Sequence, residues 1–158
     1  MYIKDCFQIH EKSFKHIRFD HSFIDVKFTI SPFNNAFLSG GALRDTVNWH
    51  PVKDWDIFLG EDDELDVEPK PEHVSSSDTI HSRLLTLGYE LKKESSKDYI
   101  FGDDSQHPIT GVDTYNNGRT EIQVVYLRVP FLDYVKQFNF TCNTMFYSGF
   151  YDKFMCPY

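Results

Sequence analysis

The spacing of apolar residues changes period several times along the 158-residue chain, and each change predicts an element. Phe23, Val26 and Ile30 recur at helical spacing, and Ser22 with Asp25 three places on resembles a capping box. Asn35 to Ser39 is a short apolar strand that runs into Gly40-Gly41, after which Ala42 to Trp49 suits a helix. Asp54 to Leu59 reads as a second strand closed by Gly60. Asp78 is placed to cap a helix that carries Ile80, Leu84 and Leu87 on one face, with Gly88 as its stop. Tyr89–Leu91 and Tyr99–Phe101 suit short strands.

Asn116-Asn117-Gly118 predicts a hairpin with a type I′ turn, joining a strand over Ile109–Thr114 to one over Thr120–Leu127. Pro130 suits the first turn of a last helix with Phe131, Val135 and Phe138 on one face. The aromatic stretch from Phe146 to Phe154 reads as core or as a packing strand. Strands and helices alternate without a linker, so the expected fold is α/β (α+β): a mixed β-sheet flanked by helices in one domain over residues 1–158.

Composition narrows the function classes. Hydrophobic residues make up 41% and charged residues 25% of the chain, a globular balance. No apolar run approaches a membrane span or a signal peptide, so a cytoplasmic location and no membrane partner are expected. Cys6, Cys142 and Cys156 are odd in number and far apart, which suits free thiols. The seven histidines show no zinc-ligand spacing. A formal net charge of −8 disfavours strong non-specific binding to duplex DNA. Six acids between Glu61 and Glu68, followed by Pro69 and Pro71, mark an exposed loop over residues 60–73.

The segment with chemical content runs from Phe37 to Leu59. A strand enters two glycines, which let backbone approach a ligand closely, and a helix start after them favours an anion such as phosphate. Asp54 and Asp56 then alternate onto one face of the next strand, about 6.5–7 Å apart, while Trp55, Ile57 and Leu59 turn to the other. Two carboxylates on one face beside a glycine turn suit a two-metal site for phosphate chemistry, with Mg²⁺ as the natural ion and Mn²⁺ as its substitute.

At these residues the chain resembles a family. Gly40-Gly41-Ala-Leu-Arg44-Asp45, followed by Lys53-Asp54-Trp-Asp56-Ile-Phe, resembles the signature of the polymerase-β-type nucleotidyltransferase superfamily. The likeness is strongest to the head domain of CCA-adding enzymes and bacterial poly(A) polymerases. Asn139-Phe-Thr-Cys-Asn143-Thr-Met resembles the segment that closes that domain, so the resemblance spans residues 37–147. It implies Asp54 and Asp56 as metal ligands, Ser39, Gly40 and Gly41 as the triphosphate cradle, and Arg44, Asp45 and Asn143 around the nucleotide. It also implies a third carboxylate on a neighbouring strand. Glu121 matches that place best, with Gln123 on the same face and Asp113 across the hairpin as the other candidate.

The chain departs from the family pattern where basic residues are replaced by Gln137 and Phe138 and an Asp by Asn139. With nothing beyond Tyr158 to hold tRNA, the expectation is a small stand-alone protein of the kind found in tailed phages. The activity implied is metal-dependent transfer of a nucleoside monophosphate from an NTP to an RNA end, a protein or a small molecule. Two alternatives belong to other classes. One is a degenerate module of the same fold that binds nucleotide or protein without turnover. The other is a structural assembly protein.

Overall fold

The computed structural model describes residues 6–9, 21–47, 50, 52, 54–61, 76–94, 107–137 and 144–157, without the side chains of Arg44, Val47 and residues 76–79. In chain order the elements are β1 (Phe7–Ile9), α1 (His21–Ile30), β2 (Ala36–Ser39), α2 (Gly41–Val47), β3 (Asp54–Leu59) and α3 (Ser76–Thr86). They continue as β4 (Glu90–Glu94), β5 (Ile109–Asn116), β6 (Glu121–Leu127), α4 (Phe131–Val135), β7 (Phe146–Ser148) and β8 (Lys153–Cys156).

The strands form one sheet in the order β1-β8-β7-β2-β3-β6-β5-β4. Every neighbouring pair among them is antiparallel except β3 with β6, which run parallel, so the sheet is mixed as expected. A parallel pair needs a crossover, and here the chain supplies α3, β4 and β5 between its two members.

Alternation along β3 and β6 divides the core. Trp55, Ile57, Leu59, Ile122 and Val124 face one side, where Phe23, Val26 and Ile30 of α1, Ala42 and Leu43 of α2, and Ile80 and Leu84 of α3 cover them. On the other side Phe37, Phe58, Val125, Leu127, Phe146 and Met155 pack under Phe131, Leu132 and Val135 of α4. Gly60 is needed there, because a Cβ on it would lie 2.7 Å from the backbone nitrogen of Phe131.

Several local expectations are corrected. Ser22 lies inside α1, and its hydroxyl accepts the indole N–H of buried Trp55 at 2.7 Å, while Asp25 accepts the hydroxyl of Tyr89 at 2.9 Å. The pair read as a cap therefore ties α1 to the sheet and to the start of β4. Helix α3 begins at Ser76, so Asp78 has helical backbone and cannot be its N-cap. Strand β4 extends to Glu94 with all five residues exposed, held by pairing to β5 instead of by burial.

The β5–β6 turn is not type I′, which requires positive φ at two successive residues. Gly118 has φ +92 and Asn117 does not share that region. Instead Asn117 N–H donates to the Thr120 carbonyl, and the Asn117 side-chain oxygen accepts from the backbone of Arg119 and Thr120. Pro130 is the N-cap of α4, one place before its first turn. The aromatic C-terminal stretch forms the β7–β8 hairpin. The strand expected at Tyr99–Phe101, Phe138 and most of the acidic loop lie outside the described residues.

Candidate nucleotide and metal site

The last residue of β2 and the first polar residues of β3 and β6 meet at one end of the α4-covered face. Ser39 pairs with Asp56 across β2–β3, Asp54 with Glu121 across β3–β6, and Asp56 with Gln123 one rung further. Paired residues on adjacent strands share a face, so Asp54, Asp56, Glu121 and Gln123 project to the same side. Asp54 is exposed, and Asp56, Glu121 and Gln123 are half-buried. Asp113 pairs with Val124 and so belongs to the opposite face, where its carboxylate accepts the Tyr126 hydroxyl at 2.6 Å. Of the two candidates for a third carboxylate, only Glu121 shares the face of the Asp pair.

Like charges crowd Asp56. Burial, then the charge of Asp54, then that of Glu121 push the Asp56 carboxyl up to about 6. On the β2 side Gly40 adopts φ +92, and a Cβ there would sit 3.2 Å from Asp56 Oδ2. The glycine thus supplies both a left-handed turn and the space beside the carboxylate.

Helix α2 begins at Gly41, directly after the turn at Gly40, and is described over seven residues. Ser39 is fully buried and its hydroxyl donates to the Met145 carbonyl at 3.0 Å, which ties β2 to the segment before β7. Its hydroxyl proton is therefore committed to the fold. Asp45 is half-buried in α2, and its carbonyl accepts the His50 N–H at 2.8 Å. The side chain of Arg44, together with Lys53 and Asn143, lies outside the described residues.

Tyr134 of α4 is a member of this site that the sequence pattern does not single out. Its ring lies 5.6 Å from that of Phe58, and burial together with the charge of Asp56 raises its phenol above the usual range. In sequence it reads as the outer face of a short amphipathic helix. Its only signal is a position three residues after Phe131, over the strand that carries the Asp pair.

Oxygen donors at this end suit a hard cation such as Mg²⁺, and the crowding of Asp56 by two like charges is of the kind a cation offsets. Among the described residues, however, no three His, Cys, Asp or Glu side chains already converge as a ligand set. The donor chemistry therefore fits a metal, whereas a closed ligand geometry is not formed in advance.

No protein-family model matches the chain, and no curated protein matches it. Solved structures do. The apo form I of a CCA-adding enzyme superposes with a TM-score of 0.61 at 14% identity, over 97% of this chain and 33% of that one. A CCA-adding enzyme in complex with CTP gives a TM-score of 0.58 at 12% identity, over 97% of this chain and 32% of that one. At such identities the likeness is one of fold, and the chain spans about a third of the length of these structures. Among the described residues no helix is long and apolar enough to cross a membrane.

Proposed function

We propose that this chain is a metal-dependent nucleotidyltransferase of the polymerase-β-like fold, moving a nucleoside monophosphate from an NTP to an acceptor hydroxyl. The observation that carries the reading is the placement of Asp54, Asp56 and Glu121 on one face across the parallel β3–β6 pair, beside the glycine turn at Gly40. The fold likeness to CCA-adding enzymes, one of them bound to CTP, supports the same reading.

In this reading the backbone of Gly40 and Gly41 holds the triphosphate against the Asp pair. One or two Mg²⁺ ions held by Asp54, Asp56 and Glu121 would neutralise the phosphate oxygens during transfer. Glu121 takes the proton of the acceptor hydroxyl, whose oxygen bonds to the α-phosphorus as the bond to pyrophosphate breaks. Gly40 keeps the phosphates close without a side chain between them and Asp56, and Tyr134 closes the α4 side. Positioning and charge compensation account for the rate.

The test is purified protein with each α-labelled NTP, Mg²⁺ and host extract, read as labelled product and released pyrophosphate. Both are expected, and Asp54→Asn and Asp56→Asn abolish them. Equal background from wild type and both variants would overturn the reading. The replacement of the family's basic residues by Gln137 and Phe138, and of its Asp by Asn139, supports a second reading, a nucleotide- or protein-binding module without turnover. It is marked by metal-dependent NTP binding with no pyrophosphate release.

A further inference from the structure

Helix α4 brings a hydroxyl of the chain itself towards the acidic end. Phe131 opens the helix against Gly60, with its ring 4.5 Å from that of Phe37 and 5.7 Å from that of Phe58. One turn on, the Tyr134 ring lies 5.6 Å from the Phe58 ring. Phe58 and Asp56 share a face of β3, about 6.5–7 Å apart along the strand. The charge of Asp56 acts on the half-buried phenol. Beyond α4 the chain returns to the same place, where the Met145 carbonyl accepts the hydroxyl of Ser39, the cross-strand partner of Asp56.

The other tyrosines of the core face away from this end. Tyr89, Tyr115, Tyr126 and Tyr147 pack beneath α1 and α3. The hydroxyls of Tyr89, Tyr126 and Tyr147 donate to Asp25, Asp113 and Asp152 at 2.9, 2.6 and 2.7 Å. That of Tyr115 meets His81 Nδ1 at 2.8 Å. Among the described tyrosines, only Tyr134 joins the core beneath α4.

A tyrosine hydroxyl can act as a nucleophile in covalent chemistry. On the nucleotidyltransferase reading above, on which this inference rests, a triphosphate held at Gly40 and Gly41 presents its α-phosphorus beside Asp54 and Asp56. We infer that Tyr134 is a self-modification site, whose hydroxyl takes the nucleoside monophosphate from an NTP held by the same chain. The phenolic oxygen bonds to the α-phosphorus, the bond from that phosphorus to pyrophosphate breaks, and the phenolic proton passes to water on the open side of the ring. Nucleophile and nucleotide sit on one scaffold, so the step needs no bimolecular encounter. The product, a tyrosyl phosphodiester, stays over Asp56 and bars a second nucleotide, which limits the reaction to one nucleotide per chain.

The experiment uses purified protein without extract. Binding of a fluorescent NTP analogue with Mg²⁺ tests the underlying reading, and its absence would overturn both. With binding established, the protein is incubated with Mg²⁺ and α-labelled ATP or CTP, then digested with trypsin for mass spectrometry. The peptide Val129–Lys136 contains no hydroxyl side chain other than that of Tyr134, so a nucleoside monophosphate on it identifies the site. One label per chain is expected there, with a rate independent of protein concentration. Tyr134→Phe, which keeps the ring on Phe58, should abolish the label with its denaturation midpoint retained, and Tyr126→Phe, on the opposite face, should keep the label in full. Analogue binding with no label on the chain would overturn this inference and leave the nucleotidyltransferase reading standing. Label that persists in Tyr134→Phe or maps to another peptide would also overturn it, as would a labelling rate that rises with protein concentration.

Discussion

A Cβ built on Gly40 would stand 3.2 Å from the Oδ2 atom of Asp56, so the residue that turns the chain out of β2 is also the one that leaves space for the half-buried carboxylate. Gly88 has a similar φ of +89 at the end of α3, and nothing lies within 4 Å of a Cβ there. The two positions separate backbone strain from site geometry. Gly88→Ala and Gly40→Ala are each expected to lose about 1–2 kcal/mol in urea denaturation, the cost of a side chain in the left-handed region. Only Gly40→Ala should also weaken binding of a fluorescent NTP analogue. Equal nucleotide affinity in the two variants would show that the contact with Asp56 has no bearing on the site.

Stability should fall with rising pH in the range where Asp56 titrates. Folding raises its carboxyl from the ordinary 3.8 to about 6, so the folded state holds a proton that the unfolded state has released. Where the folded state binds more protons, the slope of unfolding free energy against pH is negative. The loss from about pH 4 to pH 6 is expected to reach at most about 3 kcal/mol. Asp56→Asn should flatten that slope and stabilise the metal-free protein at pH 7, although it abolishes transfer. Urea denaturation between pH 4 and pH 7, with and without Mg²⁺, measures this, and a flat wild-type profile would refute it.

The two sides of the sheet should respond differently to loss of an acid. Glu121→Gln is expected to lower nucleotidyl transfer by about 100-fold or more, the usual worth of a positioned proton acceptor. Asp113→Asn, on the opposite face, should leave transfer unchanged and cost about 1 kcal/mol of stability by weakening the bond from Tyr126. Rates and denaturation midpoints for both variants check the contrast. Loss of transfer in Asp113→Asn would place the acceptor chemistry on the wrong face.

Removal of the Ser22 hydroxyl should leave the buried indole N–H of Trp55 without its acceptor. Ser22→Ala is therefore expected to cost about 1–3 kcal/mol, with a shift in tryptophan emission. Ser22→Thr, which retains a hydroxyl, should recover part of the loss. No change in either variant would mean that Trp55 finds another acceptor.

These residues also show what local pattern can and cannot reveal. Strand β3 was legible from end to end because Asp54 to Ile57 alternate, the apolar Ile57-Phe58-Leu59 run completes it and Gly60 stops it. Strand β4 was legible only at its start, since an edge strand of Glu and Lys carries no apolar alternation and is fixed by pairing alone. The cap reading of Ser22 failed because its partner, Trp55, lies 33 residues away. For the same reason the position of Glu121 opposite Asp54 follows from a parallel register that no short window contains. Tyr134 escaped notice because its tie to the site runs through packing on Phe58.

The parallel pairing of β3 with β6 has a consequence for folding. Asp54 and Glu121 come into register only after α3, β4 and β5 have been traversed, so the acidic end is a contact of long sequence separation. Such contacts close late, after local hairpins such as β5–β6. Closing this one also brings like charges together, so the final docking step works against electrostatic repulsion. A divalent cation present during refolding should therefore speed the last phase, and nucleotide capture should begin only when the sheet is complete.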